Sequence, residues 1–174
     1  MSHYFITGAS AGIGAALAEA LTNGGHHVSA VVRRKERLDE RQSKTDLFNG
    51  YTADVRDVET IAAAVNASQL KFGPVDVAIL NAGIYTPQDG KQIVPSVYAE
   101  HMDINYMGVV NTLASVIPQM VASGRGHVVI ISSVAGWRGL PKAAAYGPTK
   151  AALISHAESQ NFDLTPKNKK IQVK

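Results

Sequence analysis

The chain holds 174 residues, 45% of them hydrophobic, with no cysteine and a formal net charge of +3. That length suits a single domain over residues 1–174 with an ordinary globular core, and the lack of cysteine excludes disulfides, thiolate chemistry and Cys–zinc sites. No apolar run reaches the roughly 18 residues of a membrane span, and the few residues before the first apolar strand leave no room for a leader, so a cytoplasmic setting is expected.

Tyr4–Ile6 reads as a short strand, and Ala11–Asn23 as a helix entered through glycines and ended by Gly24-Gly25. His27–Val32 is a second strand, and Thr52–Asp54 closes a short third. Val58–Phe72 is helical up to the Gly73-Pro74 breaker. Val75–Leu80 is a buried strand that runs into Asn81-Ala82-Gly83. Thr86–Ser96, with Pro87, Gly90 and Pro95, is the longest irregular stretch. A helical region covers about Ala99 to Ser123, and Gly124-Arg125-Gly126 turns into the strand His127–Ile131. A further helix runs from near Tyr146 to about Leu164, and Lys170–Val173 begins a sixth strand. Runs such as Val128-Val129-Ile130-Ile131 suit strands covered on both faces. Strands of that kind separated by helices, joined by right-handed crossovers, predict an α/β doubly wound parallel sheet of Rossmann-like type.

Gly8-x3-Gly12-x-Gly14 lies between a strand and a helix, the setting a phosphate-binding turn requires. Gly8 allows the tight turn, Gly12 lets the backbone approach a pyrophosphate, and Gly14 permits close packing. The helix N-terminus offers free N–H groups and a positive dipole end, and Ser10 could add a hydroxyl. The end of the second strand selects between cofactors. An acid there would hold the ribose hydroxyls of NAD, but Val31-Val32 is followed by Arg33-Arg34, with no acid before Glu36. A guanidinium pairs bidentately with a 2′-phosphate, which favours NADP(H). Either arginine could make the contact, and Arg33 is preferred. Asp54, Asn81, Ala82 and Gly83 fall at carboxyl ends of strands, where such sheets bind ligands. Asp54 could accept from an adenine amino group or serve only as a turn residue.

Tyr146 and Lys150 are four apart and project from one helix face. Pro148 between them is tolerated only in a first turn, so the helix begins near Ala145 and puts Tyr146 at the mouth of the sheet. A neighbouring ammonium stabilises a phenolate, which would let this tyrosine give or take an alcohol proton. Ile84, Tyr85, Trp137 and Leu140, after the fourth and fifth strands, would line a substrate pocket or anchor loops. The basic clusters Arg33-Arg34-Lys35 and Lys167-Lys169-Lys170 hold no interleaved aromatics, so nucleic acid is not an expected partner. The six histidines show no ligand-like spacing, and no metal site is expected.

Thr7–Gly14, Asn81-Ala82-Gly83, Ile131-Ser132-Ser133 and Tyr146-x3-Lys150 resemble, in order and spacing, the successive motifs of the classical short-chain dehydrogenase/reductase family. The resemblance implies an oxidoreductase acting on a small carbonyl or alcohol substrate. Tyr146 would be the general acid or base, and Lys150 would tune it and bind the nicotinamide ribose. Ser133, rather than Ser132, would hold the substrate oxygen, and Asn105 would position a water in the proton relay. Thr7 through Gly14, including Ile13, would form the cofactor loop. Asp54 and Val55 would lie at the adenine, and Asn81 would support the neighbouring strand. A homodimer or homotetramer packed through the helices holding Asn105 and Lys150 is also implied. Family members continue past the sixth strand through a Pro-Gly turn, a substrate-covering segment and a seventh strand. This sequence stops at Ile171-Gln172-Val173-Lys174, so a C-terminally shortened form is expected. The alternative expectation is a dinucleotide-binding module without turnover.

Overall fold

Six short strands lie side by side in the order β3-β2-β1-β4-β5-β6, every pair parallel. The computed structural model describes residues 1–33, 38, 45–164 and 170–174. In chain order the elements are β1 (His3–Thr7), α1 (Gly12–Asn23), β2 (His27–Val32), β3 (Phe48–Thr52), α2 (Val58–Phe72) and β4 (Val77–Leu80). There follow α3 (Pro95–Met102), a π-helical turn (Asp103–Met107), α4 (Gly108–Ser123), β5 (Gly126–Ile130), a 3-10 turn (Val134–Gly136), α5 (Gly147–Leu164) and β6 (Ile171–Val173). The order reverses between β1 and β4, as a doubly wound sheet requires.

Alternation along each strand divides the core in two. Phe5, Val31, Ala78 and Val128 face α2, α4 and α5, where Ile61, Val65, Val116, Met120 and Leu153 cover them. Ile6, Ala30 and Ile79 face the other way, against Ala18, Leu17 and Leu21 of α1. Each of the larger chains contributes about 1.5–3 kcal/mol by leaving water.

The expected elements are present, with shifted ends. β3 stops at Thr52 rather than Asp54, because Asp54 opens a turn: its carbonyl accepts from Asp57 N and its carboxylate from Arg56 N. Pro95 does not belong to an irregular stretch. It stands in the first turn of α3, where its missing N–H and fixed φ suit a helix start. Asp57 caps α2 by accepting from Glu59 N and Thr60 N. The helix expected to begin near Ala145 or Tyr146 starts at Gly147, with Pro148 in its first turn.

At the amino end of the sheet, His3 is buried. Its Nδ1 lies 2.9 Å from the Gly73 carbonyl and its Nε2 2.8 Å from Ser29 Oγ. A carbonyl only accepts, so Nδ1 carries the proton of a neutral ring. Burial pushes the His3 pKa below its ordinary value, against the pull of the Gly73 carbonyl. The folded value is the lower one. The contribution to stability is therefore complete above an unfolded pKa of about 6.5 and is lost as pH falls through the folded value. The urea midpoint of the native chain should drop more between pH 7 and pH 5 than that of His3→Gln. Parallel drops in the two proteins would refute the assignment.

Candidate active site

The reversal of strand order between β1 and β4 sends the following loops to opposite faces and opens a crevice of about 340 Å³ between them. Its walls come from four strand ends: Gly8, Ser10 and Ile13 after β1, Arg33 after β2, Asp54 and Val55 after β3, and Asn81 through Ile84 after β4. Nine of these residues are ones expected at a cofactor. Thr7 and Gly14 are buried beneath the crevice instead.

Asn81 ties the two central strands together at this edge. Its Nδ2 donates to the carbonyls of Thr7 (3.3 Å) and Gly8 (3.1 Å). Thr7 Oγ1 in turn accepts from the backbone N–H of Asn81 (3.1 Å) and Ala82 (3.2 Å). A Cβ at Gly14 would fall 2.5 Å from Asn81 Nδ2 and 2.5 Å from Gly8 O, so this helix residue must be bare for the tie to form. A Cβ at Gly12, by contrast, would meet no protein atom within 4 Å. The N-terminus of α1 carries no side-chain cap and no acid in its first turn. Its unsatisfied N–H groups and dipole therefore present a positive end beside an open glycine, a donor set that fits a pyrophosphate.

Arg33 lines the crevice where β2 ends. Arg34 lies outside the described residues, as do Glu36 and the Lys167 and Lys169 cluster. Asp54 is paired with Arg56 through Nε to Oδ1 (3.0 Å) and Nη2 to Oδ2 (2.6 Å). The Arg56 hydrogen bonds hold the Asp54 carboxyl below its usual range, and the charge of Arg33 acts in the same direction. Asp54 is thus ionised, with lone pairs left for a further donor. Asn111 of α4 fixes the adjacent loop by donating to the carbonyls of Val55 and Arg56.

On the other side of β4, Lys150 in the first turn of α5 meets Tyr146, the residue just before that helix. Lys150 is 4% exposed, and its Nζ donates to Ile131 O at 2.7 Å and stands 5.7 Å from the Tyr146 ring centroid. Burial pushes the Lys150 pKa down to about 8, so near neutral pH it remains an ammonium, held by the Ile131 carbonyl. Ser132 and Ser133 divide their work. Ser132 Oγ donates to Lys150 O (3.0 Å), whereas Ser133 Oγ accepts from Ala135 N (3.2 Å) and keeps its own proton to donate.

Asn105 is fully buried in the π turn. Its Oδ1 accepts from Ile84 N (2.7 Å), and its Nδ2 donates to Ile84 O (3.0 Å) and Thr149 Oγ1 (3.2 Å). The side chain therefore clasps the loop after β4 to the first turn of α5. Thr149 completes this link by donating to Tyr146 O at 2.7 Å. Of the expected substrate residues, Ile84 lines the crevice and Tyr85 packs on Tyr146, with ring centroids 5.1 Å apart. Trp137 and Leu140 stand exposed on the surface. Thr149, Asn111 and the buried His101 are positions that nothing in the sequence marks. Each has a partner at least 15 residues away, the Asn105 side chain for Thr149 and main chain for Asn111 and His101.

A family model described as short chain dehydrogenase matches residues 2–174. An uncharacterised oxidoreductase of Myxococcus xanthus is 36% identical over 163 residues, 91% of this chain and 64% of that protein. A short-chain dehydrogenase of Streptomyces avermitilis superposes with a TM-score of 0.91 at 31% identity, over 99% of this chain and 63% of that one. An actinorhodin polyketide ketoreductase solved with NADPH gives a TM-score of 0.91 at 28% identity, over 99% of this chain and 67% of that one. The chain thus spans a little under two thirds of the first two proteins.

The Gly14–Asn81 packing yields a measurable coupling. Gly14→Ala should lower stability by about 1–3 kcal/mol. In an Asn81→Ala background, where one of the two close neighbours is gone, its cost should shrink by at least about 0.5 kcal/mol. Urea denaturation of the four proteins decides this, and strictly additive costs would contradict it.

Proposed function

The chain belongs to the short-chain dehydrogenase family of oxidoreductases, which use nicotinamide dinucleotides, and from that premise we propose that it moves a hydride between NADP(H) and a carbonyl or secondary-alcohol carbon, with Tyr146 carrying the proton. The observation that carries this reading is the buried Lys150 ammonium beside the Tyr146 ring, next to the glycine-walled crevice. The chemistry a bound nicotinamide supplies is the hydride.

The chain's own residues do the rest. In the reducing direction the Tyr146 hydroxyl gives its proton to the substrate oxygen, and the Lys150 charge stabilises the phenolate left behind. Ser133 donates to the same oxygen and orients it. Asn105 holds the loop and helix that flank the site, and solvent returns the proton to Tyr146. In the oxidising direction the roles of Tyr146 reverse.

Preference for NADP(H) is supported by Arg33 at the end of β2, beside Asp54 in the crevice wall. The NADPH held by the structurally similar ketoreductase points the same way. Exposed Met107, Val121 and Phe162, on and beside the helices that carry Asn105 and Lys150, support a homo-oligomer built through them. No helix among the described residues is long and apolar enough to cross a membrane.

Two variants test the reading. Arg33→Ala should weaken NADPH binding about 10- to 100-fold, the worth of one charged hydrogen-bonding contact, while changing NADH binding little. Equal losses for both would remove the case for the 2′-phosphate. Tyr146→Phe should cut NADPH-dependent carbonyl reduction by about 10²- to 10⁴-fold with dinucleotide affinity retained. Unchanged turnover would exclude Tyr146 as the proton donor, and a native chain that binds but turns over nothing would favour a binding module.

A further inference from the structure

Residues 84–88 form neither helix nor strand, yet alternate N–H groups along them are fixed by three different elements. Ile84 N donates to Asn105 Oδ1 of the π turn at 2.7 Å. Thr86 N donates to His101 Nε2 of α3 at 3.1 Å. Gln88 N donates to the carbonyl of Lys142 at 3.0 Å, in the loop before α5. Lys142 has φ of 61°, the one positive value among the described non-glycine residues. Tyr85 sits between the first two fixed points, and its ring lies 5.1 Å from that of Tyr146. Half of Tyr85 is open to solvent, so packing alone does not hold it. The backbone on either side does.

His101 is the central fixed point. It is fully buried, and both ring nitrogens are committed. Nδ1 lies 2.7 Å from the Val97 carbonyl, which can only accept, so Nδ1 carries the proton. Nε2 is then bare and accepts from Thr86, the residue next to Tyr85. On the reading of Tyr146 as the proton-moving group, we propose that His101 is a positioning residue. Through Thr86 it holds Tyr85 against Tyr146, where Tyr85 forms a fixed aromatic wall for the substrate.

The test begins with the native chain. A through-hydrogen-bond nitrogen–nitrogen coupling between Thr86 N and His101 Nε2 should be visible by NMR, and its absence overturns the proposal. His101→Asn keeps a donor for Val97 but withdraws the acceptor from Thr86. His101→Gln returns an amide oxygen near the place of Nε2. Exchange of the Thr86 amide should be at least tenfold faster in the Asn variant and within about threefold of native in the Gln variant, with β1 amides unchanged as the control for folding. With NADPH and 1-phenyl-1,2-propanedione as probe, KM should rise about tenfold in His101→Asn and kcat should stay within about threefold. Tyr85→Ala should give a similar rise, and the double variant no further one. Effects that multiply, or unchanged Thr86 exchange, overturn the proposal. If the native chain does not reduce the probe, the reading of the function fails separately. The Tyr85–Tyr146 ring NOE then decides the positioning: its loss in His101→Asn supports the proposal, and its retention overturns it.

Discussion

The crevice depends on one close approach. β1 and β4 are neighbours in the sheet, but the chain leaves them toward opposite faces, and an opening between their ends has nothing intrinsic to set its width. Asn81 sets it. Its amide reaches across to two carbonyls of the opposite strand end, and Thr7 answers with a hydroxyl that accepts two N–H groups from the Asn81 side. Each such bond is worth only about 1 kcal/mol net, whereas a buried group left without its partner costs more. Gly14 must then stay bare, because a methyl group there would occupy the space the amide needs. The position of α1 and the direction of its exposed N–H groups follow from that contact.

A second layer of buried polar groups does the same work on the side of Tyr146 and Lys150. His101, Asn105, Val109 and Leu113 are all buried, at intervals of four. An ideal helix turns about 100° per residue, so a step of four rotates each successive position by about 40° away from a common face. The π turn at Asp103–Met107, with its wider winding, takes up part of this drift and keeps the inward positions aligned. Two polar side chains can thus reach the loop after β4 from one helical line, and each finds its full set of partners. Met102 and Met107 on the outward side remain exposed.

The parts of this arrangement that were legible in the sequence are those in which a backbone constraint selects a residue type. The Gly8, Gly12 and Gly14 spacing between strand and helix is such a case, as are Pro148 in a first turn and the Tyr146–Lys150 interval. Arg33 was readable because the apolar run of β2 ends at Val32, which puts the next residue at the strand's carboxyl end. Asn105 was recognisable as a polar interruption of an apolar helix, but its clasp on Ile84 was not, since the partner is main chain 21 residues earlier. The π turn leaves no mark in composition. The early start of α3 was hidden because Pro95 signals a loop and a first helical turn equally well. His101 looks like any lone histidine until the loop it serves is folded beside it.

The Asn81 tie also fixes when the crevice can come into being. It joins residues 73 apart, and β1 has no partner on that side until β4 is available. During synthesis the first three strands emerge well before Leu80 leaves the ribosome. They can pair with one another but keep the β1 edge bare, a long-lived target for wrong pairing. A ligand of the crevice cannot rescue such an intermediate, because the wall contributed by Asn81 through Ile84 is still unmade. Closing a loop of this length is entropically costly before any native contact compensates it. The structure therefore implies a late-maturing site in an early-starting fold, in which a ligand stabilises the finished protein but gives no help to the nascent one.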